Sequence, residues 1–281
     1  MKKLVICLFL SAFAPLLNAQ TYHLSEGLSE ISGIEFLNDS TLVAINDGGN
    51  EPLIYLLDLN GKIQGVVKVE NAQNRDWEDL TVDNEHLYIG DIGNNVNNRR
   101  DLLIYRVKIA DVIEKKSVRA EKITFNYKDQ TAFPPDRSEK HYDAEALAFH
   151  NDTLYVFTKD RARPIKGSAL VYKIPAKPGD YTVSKSAEIY IGKGGLLTDA
   201  LTAADYVDGE FFLMTYNRVI IKKEVKGEFV GEEKINFKTY SQKEALVVKS
   251  KMEIFVADEK QTFLGGPRMY RIEVNDALEK D

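Results

Sequence analysis

Short apolar runs rich in Val, Ile, Leu, Tyr and Phe recur along this chain, separated by turn residues such as Asn60-Gly61, Asn151-Asp152 and Asp208-Gly209. Such runs read as β-strands bounded by turns. Helical spacing is nearly absent, apart from one short stretch at 109–115. The runs fall into groups of four. The first group is 34–37, 42–45, 54–59 and 66–69; the second is 80–82, 87–89, 102–107 and 123–127. The third is 146–149, 154–157, 170–174 and 187–191; a fourth unit spans about 199–240 and a fifth 243–274. Repeated four-stranded units of roughly 45–65 residues predict an all-β, five-bladed β-propeller. The fifth unit shows only three strands, so segment 21–28 is expected to supply the fourth and close the ring. Closure also removes exposed strand edges. The alternative is a six-bladed ring, with a blade hidden between residues 109 and 142.

Each unit opens on a polar residue, followed by one small or polar residue and then an apolar strand. The openers are Ser32, Glu78, Glu145, Thr202 and Glu244, in SGIEF, EDLTV, EALAF, TAADY and EALVV. In a propeller the first strand of each blade lines the central channel. The five openers are therefore expected to ring one channel mouth. The residues that close the second strands, Asp47, Asp91, Lys159, Asn217 and Asp258, should lie beside them, because neighbouring strands run antiparallel. Three glutamates at one narrow mouth repel one another unless they share protons or gather round a cation. Two hydroxyls complete an all-oxygen ring that suits calcium. Scattered histidines (His23, His86, His141 and His150) and a lack of cysteine disfavour zinc. Asp76 and Asp143 each lie two residues before an opener and share its strand face, as outer supports of the site.

Composition narrows the setting. Residues 1–19 read as a signal peptide: Lys2 and Lys3, an apolar run, then small residues around Ala19. The run is short for a membrane span. It contains Cys7, the single cysteine, so residues 20–281 form one thiol-free domain with no transmembrane segment. A secreted or periplasmic monomer is expected. Without Lys2 and Lys3 the chain keeps 35 basic against 43 acidic residues, a net charge of −8. That balance argues against nucleic-acid binding.

The opener order, with SGIEF, WEDLTV, EALAF and EALVV, resembles the five-bladed calcium-activated nucleotidases (apyrases). That resemblance implies a calcium in the channel, held at Ser32, Glu78, Glu145, Thr202 and Glu244. It spans all five units and is thin between motifs. Asn46-Asp47-Gly48-Gly49 stands where that family tends to show an Asp-Asp-Arg-Thr-Gly-like loop. The DWEDL, GDIGNN and DAEAL blocks also resemble uncharacterised secreted bacterial propellers, loosely related to the phytase-like and SdiA-regulated groups.

Eight arginines fall in loops assigned to the channel-mouth face. Arg75, Arg99 and Arg161 among them are candidates for holding an anionic small molecule or an extracellular partner. Trp77 is either a core anchor or a stacking platform. Asp47 and Asp91 are either turn formers or groups that orient a water for attack on a phosphoryl group. These residues leave three functions open. One is a calcium-binding propeller that serves as a ligand- or partner-binding module with an anion-friendly channel face. The others are a calcium-dependent hydrolase of phosphorylated small molecules and a glycoside hydrolase using a glutamate pair.

Overall fold

The computed structural model describes residues 18–237, 241–262, 265–274 and 279–280. Its strands form five sheets, each with an antiparallel four-stranded body built, except in blade 5, from a consecutive stretch of chain. Blade 1 comprises Ile31–Asn38, Thr41–Asn46, Leu53–Asp58 and Ile63–Val69. Blade 2 comprises Trp77–Val82, His86–Asp91, Leu102–Lys108 and Glu121–Tyr127. Blade 3 comprises Asp143–His150, Thr153–Lys159, Ser168–Pro175 and Lys185–Tyr190. Blade 4 comprises Leu201–Val207, Glu210–Thr215, Arg218–Val225 and Glu228–Asn236. Blade 5 takes Lys243–Ser250, Glu253–Asp258 and Arg268–Glu273 from the end of the chain and Asn18–His23 from its start. The first strands of the blades neighbour one another in a closed cycle, blade 5 meeting blade 1.

The ring is therefore five-bladed and closed by the N-terminal strand, as the repeats predict. Stretch 109–142, where a sixth blade would have to lie, holds a short helix (Ile109–Glu114), the two-residue strand Ser117–Val118, the outer strand of blade 2 and a 3-10 turn (Arg137–Glu139). The expected leader lies outside the described residues except for Asn18 and Ala19, which pair with Glu273 and Ile272. Among the described residues no helix is long and apolar enough to cross a membrane.

Strand alternation explains the packing. Five apolar clusters fill the five gaps between blades. Val43 and Ile45 face blade 2, whereas Leu42 and Ala44 on the same strand face blade 5. Phe211 and Leu213 likewise face blade 3, and Phe212 and Met214 face blade 5. Each inner sheet buries both faces, so its strands read as nearly continuous apolar runs rather than as an apolar–polar alternation. Two-residue turns with both φ values positive join several strands, at Asn151-Asp152 and Asp208-Gly209 for example. Their twist matches that of the paired strands.

Small added strands latch neighbouring blades together, which the four-strand reading did not anticipate. Ser117–Val118 runs parallel to the edge of blade 1, and Gly179–Val183 runs parallel to the edge of blade 2.

Candidate functional site

In every blade the opener is the extra residue of a β-bulge. The ladder of blade 1 steps from Ile31–Asn46 to Gly33–Ile45, leaving Ser32 unpaired between them. The same step occurs at Glu78, Glu145, Thr202 and Glu244. A bulge turns its extra residue out of the pleat and re-aims the side chain. The repeated opener thus reflects a repeated backbone irregularity at one end of the channel.

Four openers, Ser32, Glu78, Glu145 and Glu244, line a cavity of about 260 Å³. Residues at or just beyond the second strands meet them there: Asp47 from blade 1, Lys159 and Arg161 from blade 3, Tyr216 from blade 4 and Glu259 from blade 5. Asn95 and Gln242 complete the wall.

Thr202 is absent from that wall. Its Oγ1 donates to the Lys243 carbonyl at 2.8 Å, as Ser32 Oγ donates to the Trp77 carbonyl at 2.9 Å. Each acceptor precedes the glutamate opener of the next blade. Both hydroxyls therefore tie adjacent inner strands at the mouth. Thr202→Val should destabilise the protein by about 1–3 kcal/mol, since it strands a buried carbonyl. Its response to calcium should not change. Denaturant unfolding with and without calcium checks both expectations, and an unchanged midpoint would refute the first.

The glutamates differ sharply in environment. Glu145 pairs with Lys159 Nζ at 3.0 Å and Arg161 Nη2 at 2.8 Å. Burial opposes its ionisation, but Lys159 and Arg161 overcome that and hold its carboxyl below the usual range. Glu244 accepts from Tyr216 Oη at 2.9 Å and from Gln242 Nε2 at 3.0 Å. Burial raises its pKa, with Lys159 opposing. Glu78 has neither a hydrogen bond nor an ion pair among the described residues, although its side chain is 8% exposed. Burial pushes it well above the carboxylate range, and Glu145, Asp47 and Asp76 add repulsion.

Glu78 instead meets two other carboxyl groups, neither of them in an ion pair among the described residues. Ligand oxygens of Asp47, Asp76 and Glu78 all lie within 4.8 Å of one another. Two glycines make room for this convergence. A Cβ on Gly93 would collide with the Glu78 and Asp76 carboxylates, and one on Gly48 would fall 2.7 Å from Asp76 Oδ1. Burial lifts Asp47 to about 7, with Asp76, Glu145 and Glu244 adding to the lift against the Gly48 N–H. Burial, Glu244 and Asp47 lift Glu259 to about 9.

A carboxyl group whose folded pKa is raised favours the folded state fully below its unfolded pKa and loses that advantage as pH rises through the folded value. For Asp47 and Glu259 the unfolded values are about 3.9 and 4.3. Calcium-free protein should therefore lose stability steadily from about pH 5 to pH 9. Glu145, with the opposite shift, loses its contribution only in stronger acid. Thermal unfolding in chelator across this range checks the slope; a flat or rising profile would contradict it.

The other expected site residues are placed differently. Arg99 Nη2 pairs with Asp91 Oδ1 at 2.8 Å, and Asp91 Oδ1 accepts from the Asp76 N–H at 3.2 Å. Asp91 is thus a buried support behind Asp76 and is not among the residues lining the cavity. Arg75 pairs with Asp101, and Arg161 pairs with Asp143 as well as Glu145. The three arginines expected to hold an anion are therefore each committed to a carboxylate. Trp77 is fully buried against Tyr105, with ring centroids 5.8 Å apart, so it anchors the core and offers no stacking face.

Sequence reasoning missed Tyr216, Gln242 and Glu259. Gln242 carried a usable signal, since it stands two residues before its opener, as Asp76 and Asp143 do. It also missed Asp79, which is fully buried and accepts the N–H groups of Leu147 in blade 3 and Ala204 in blade 4 at 2.9 and 3.2 Å. This carboxyl ties three inner strands together below the cavity.

No family model matches the sequence, and no curated protein does. Solved structures with a similar fold include a gluconolactonase from Xanthomonas campestris, at 12% identity and a TM-score of 0.45, over 84% of this chain and 69% of that one. A streptogramin B lyase has 12% identity and a TM-score of 0.45, over 92% and 98%. The computationally designed Ika8 protein has 11% identity and a TM-score of 0.38; 81% of this chain spans 55% of that one. At such scores these likenesses carry no argument about activity. The five-bladed architecture rests on the strand pairing itself.

Proposed function

We propose that this propeller is a cation-binding module, holding one calcium-like ion at its channel mouth through Asp47, Asp76 and Glu78. One observation carries the reading: Glu78 is buried, aimed into the cavity and unpartnered among the described residues, and the Asp47 and Asp76 carboxyl groups converge on it. Carboxyl groups this close must otherwise take up protons. An oxygen-only donor set fits a hard cation, and calcium tolerates its irregular geometry.

This assignment moves the ion from the full ring of openers to its Glu78 side. Glu145 already faces Lys159 and Arg161, and Thr202 faces a backbone carbonyl. Export, expected from the leader pattern of residues 1–19, fits the proposal, because calcium is plentiful outside the cell. Hydrolysis of a phosphorylated substrate draws no support from Arg75, Arg99 and Arg161, each paired with a carboxylate, nor from an Asp91 spent on Arg99.

Thermal unfolding in excess calcium and in chelator tests the reading. Ligand at a hundredfold over Kd stabilises by about 2.7 kcal/mol. For a domain of this size that is a rise of roughly 5–10 °C. An unchanged midpoint would remove the proposal.

A further inference from the structure

The cavity beside the proposed cation has a chemical character of its own. Asp47, Glu78, Glu145, Glu244 and Glu259 face it, against two cationic side chains, Lys159 and Arg161. Both cations are spent on carboxylates: Lys159 on Glu145, and Arg161 on Asp143 and Glu145. An anionic ligand would therefore find no free ammonium or guanidinium among the residues lining this cavity. The cavity is instead rich in unused acceptors. Among the described residues no hydrogen bond falls on Glu244 Oε2 or Glu259 Oε1, while Gln242 Nε2 serves the opposite oxygens at 3.0 and 2.7 Å. A carboxyl group keeps an acceptor oxygen whether ionised or protonated, so these two positions are open to ligand donors.

Size and lining narrow the class further. About 260 Å³ is below the roughly 300–1,000 Å³ of drug-sized pockets. Tyr216 is the single aromatic residue lining it, and its hydroxyl is committed to Glu244 at 2.9 Å. A planar base would find no apolar wall to stack on. Three side chains also leave a calcium-like ion short of its roughly six to eight oxygens. Neutral hydroxyls from a ligand can fill the remainder.

We propose that the channel-mouth cavity binds a small neutral polyol of monosaccharide size, whose hydroxyls donate to Glu244 and Glu259 and whose remaining oxygens face the Asp47–Asp76–Glu78 cation. The proposal rests on the cation reading above for that second set of contacts alone. It makes the ligand a hydrogen-bond donor without negative charge, and it excludes nucleotides and sugar acids as preferred occupants.

Calorimetric titration of the full chain with glucose and with glucuronate, each with and without calcium, tests this. The two probes share a hydroxylated ring and differ by one carboxylate. Millimolar concentrations avoid the general stabilisation that sugars exert at high concentration. Glucose is expected to bind the calcium-loaded protein, with glucuronate at least tenfold weaker. Glu259→Ala should weaken glucose by about tenfold, the loss of one hydrogen bond, while leaving calcium binding intact. Glu259 lies beyond the strand end and is partly exposed, so the variant should fold. Calcium binding with no glucose binding would overturn the polyol proposal and leave the cation reading standing. So would tighter binding of glucuronate than of glucose. Glucose binding without any calcium binding would do the reverse, supporting the polyol proposal and removing the cation reading.

Discussion

Replacing Glu145 with alanine should destabilise this protein by about 3–5 kcal/mol, because it strands a buried charge. Lys159 is 4% exposed, and its ammonium lies 3.0 Å from Glu145 Oε2. Its other polar neighbour is the Tyr216 hydroxyl, at 3.5 Å. Burial alone would lower the Lys159 pKa, yet Glu145 and then Glu244 hold it well above the usual lysine value. Without Glu145 the ammonium must either deprotonate or drag water into the ring. Arg161 would also lose one of its two carboxylates. Total stabilities of about 5–15 kcal/mol make such a loss severe. The double variant Glu145→Leu with Lys159→Met should recover much of it, since it removes both charges at once. Denaturant unfolding of the single and double variants measures the coupling. A loss below about 1 kcal/mol in the single variant would show that the pair contributes no more than a surface ion pair.

Glu78→Gln should produce the opposite pattern. Glu78 gains nothing from a partner and is repelled by Glu145, Asp47 and Asp76. The nearly isosteric amide is neutral at every pH, as burial favours at this position, so the calcium-free variant should be at least as stable as the parent at neutral pH. Its calcium-induced stabilisation, about 2.7 kcal/mol in the parent at a hundredfold over Kd, should vanish. A variant that retains the full shift would place the ion elsewhere on the ring. Together the two substitutions distinguish glutamates that look alike in sequence: one neutralises an internal cation, and the other is the proposed ligand of an external one.

That difference marks how far the sequence could be read. The blades were legible because each strand pair is local and its turn residues are explicit, as at Asn151-Asp152 and Asp208-Gly209, where both φ values are positive. The closing strand was legible because blade 5 was one strand short. The opener register was legible as a repeat, while its cause, the bulge at each opener, leaves no mark in composition. Side-chain partners across the ring were the hard part. Nothing near Arg161 in sequence announces that Asp143 and Glu145 will meet it, nor that Asp79 will reach Ala204 two blades away. Loop arginines on an acidic chain suggested an anion site, and their carboxylate partners closed that reading at Arg75, Arg99 and Arg161. Thr202 stood in register with the glutamates, yet its short side chain reaches the neighbouring backbone instead of the cavity.

Asp47, Asp76 and Glu78 are proposed to form a cation site. Calorimetric titration of chelator-treated protein with calcium near pH 7, in two buffers of different ionisation enthalpy, tests it most directly. Asp47 is raised to about 7 and Glu78 lies well above the carboxylate range, so the empty site carries protons that the ion must displace. The predicted result is one calcium per chain, with binding heats that differ between the buffers because protons are released, and loss of that binding in Glu78→Gln. Absence of binding heat in well-folded protein, or binding that Glu78→Gln leaves unchanged, would contradict it.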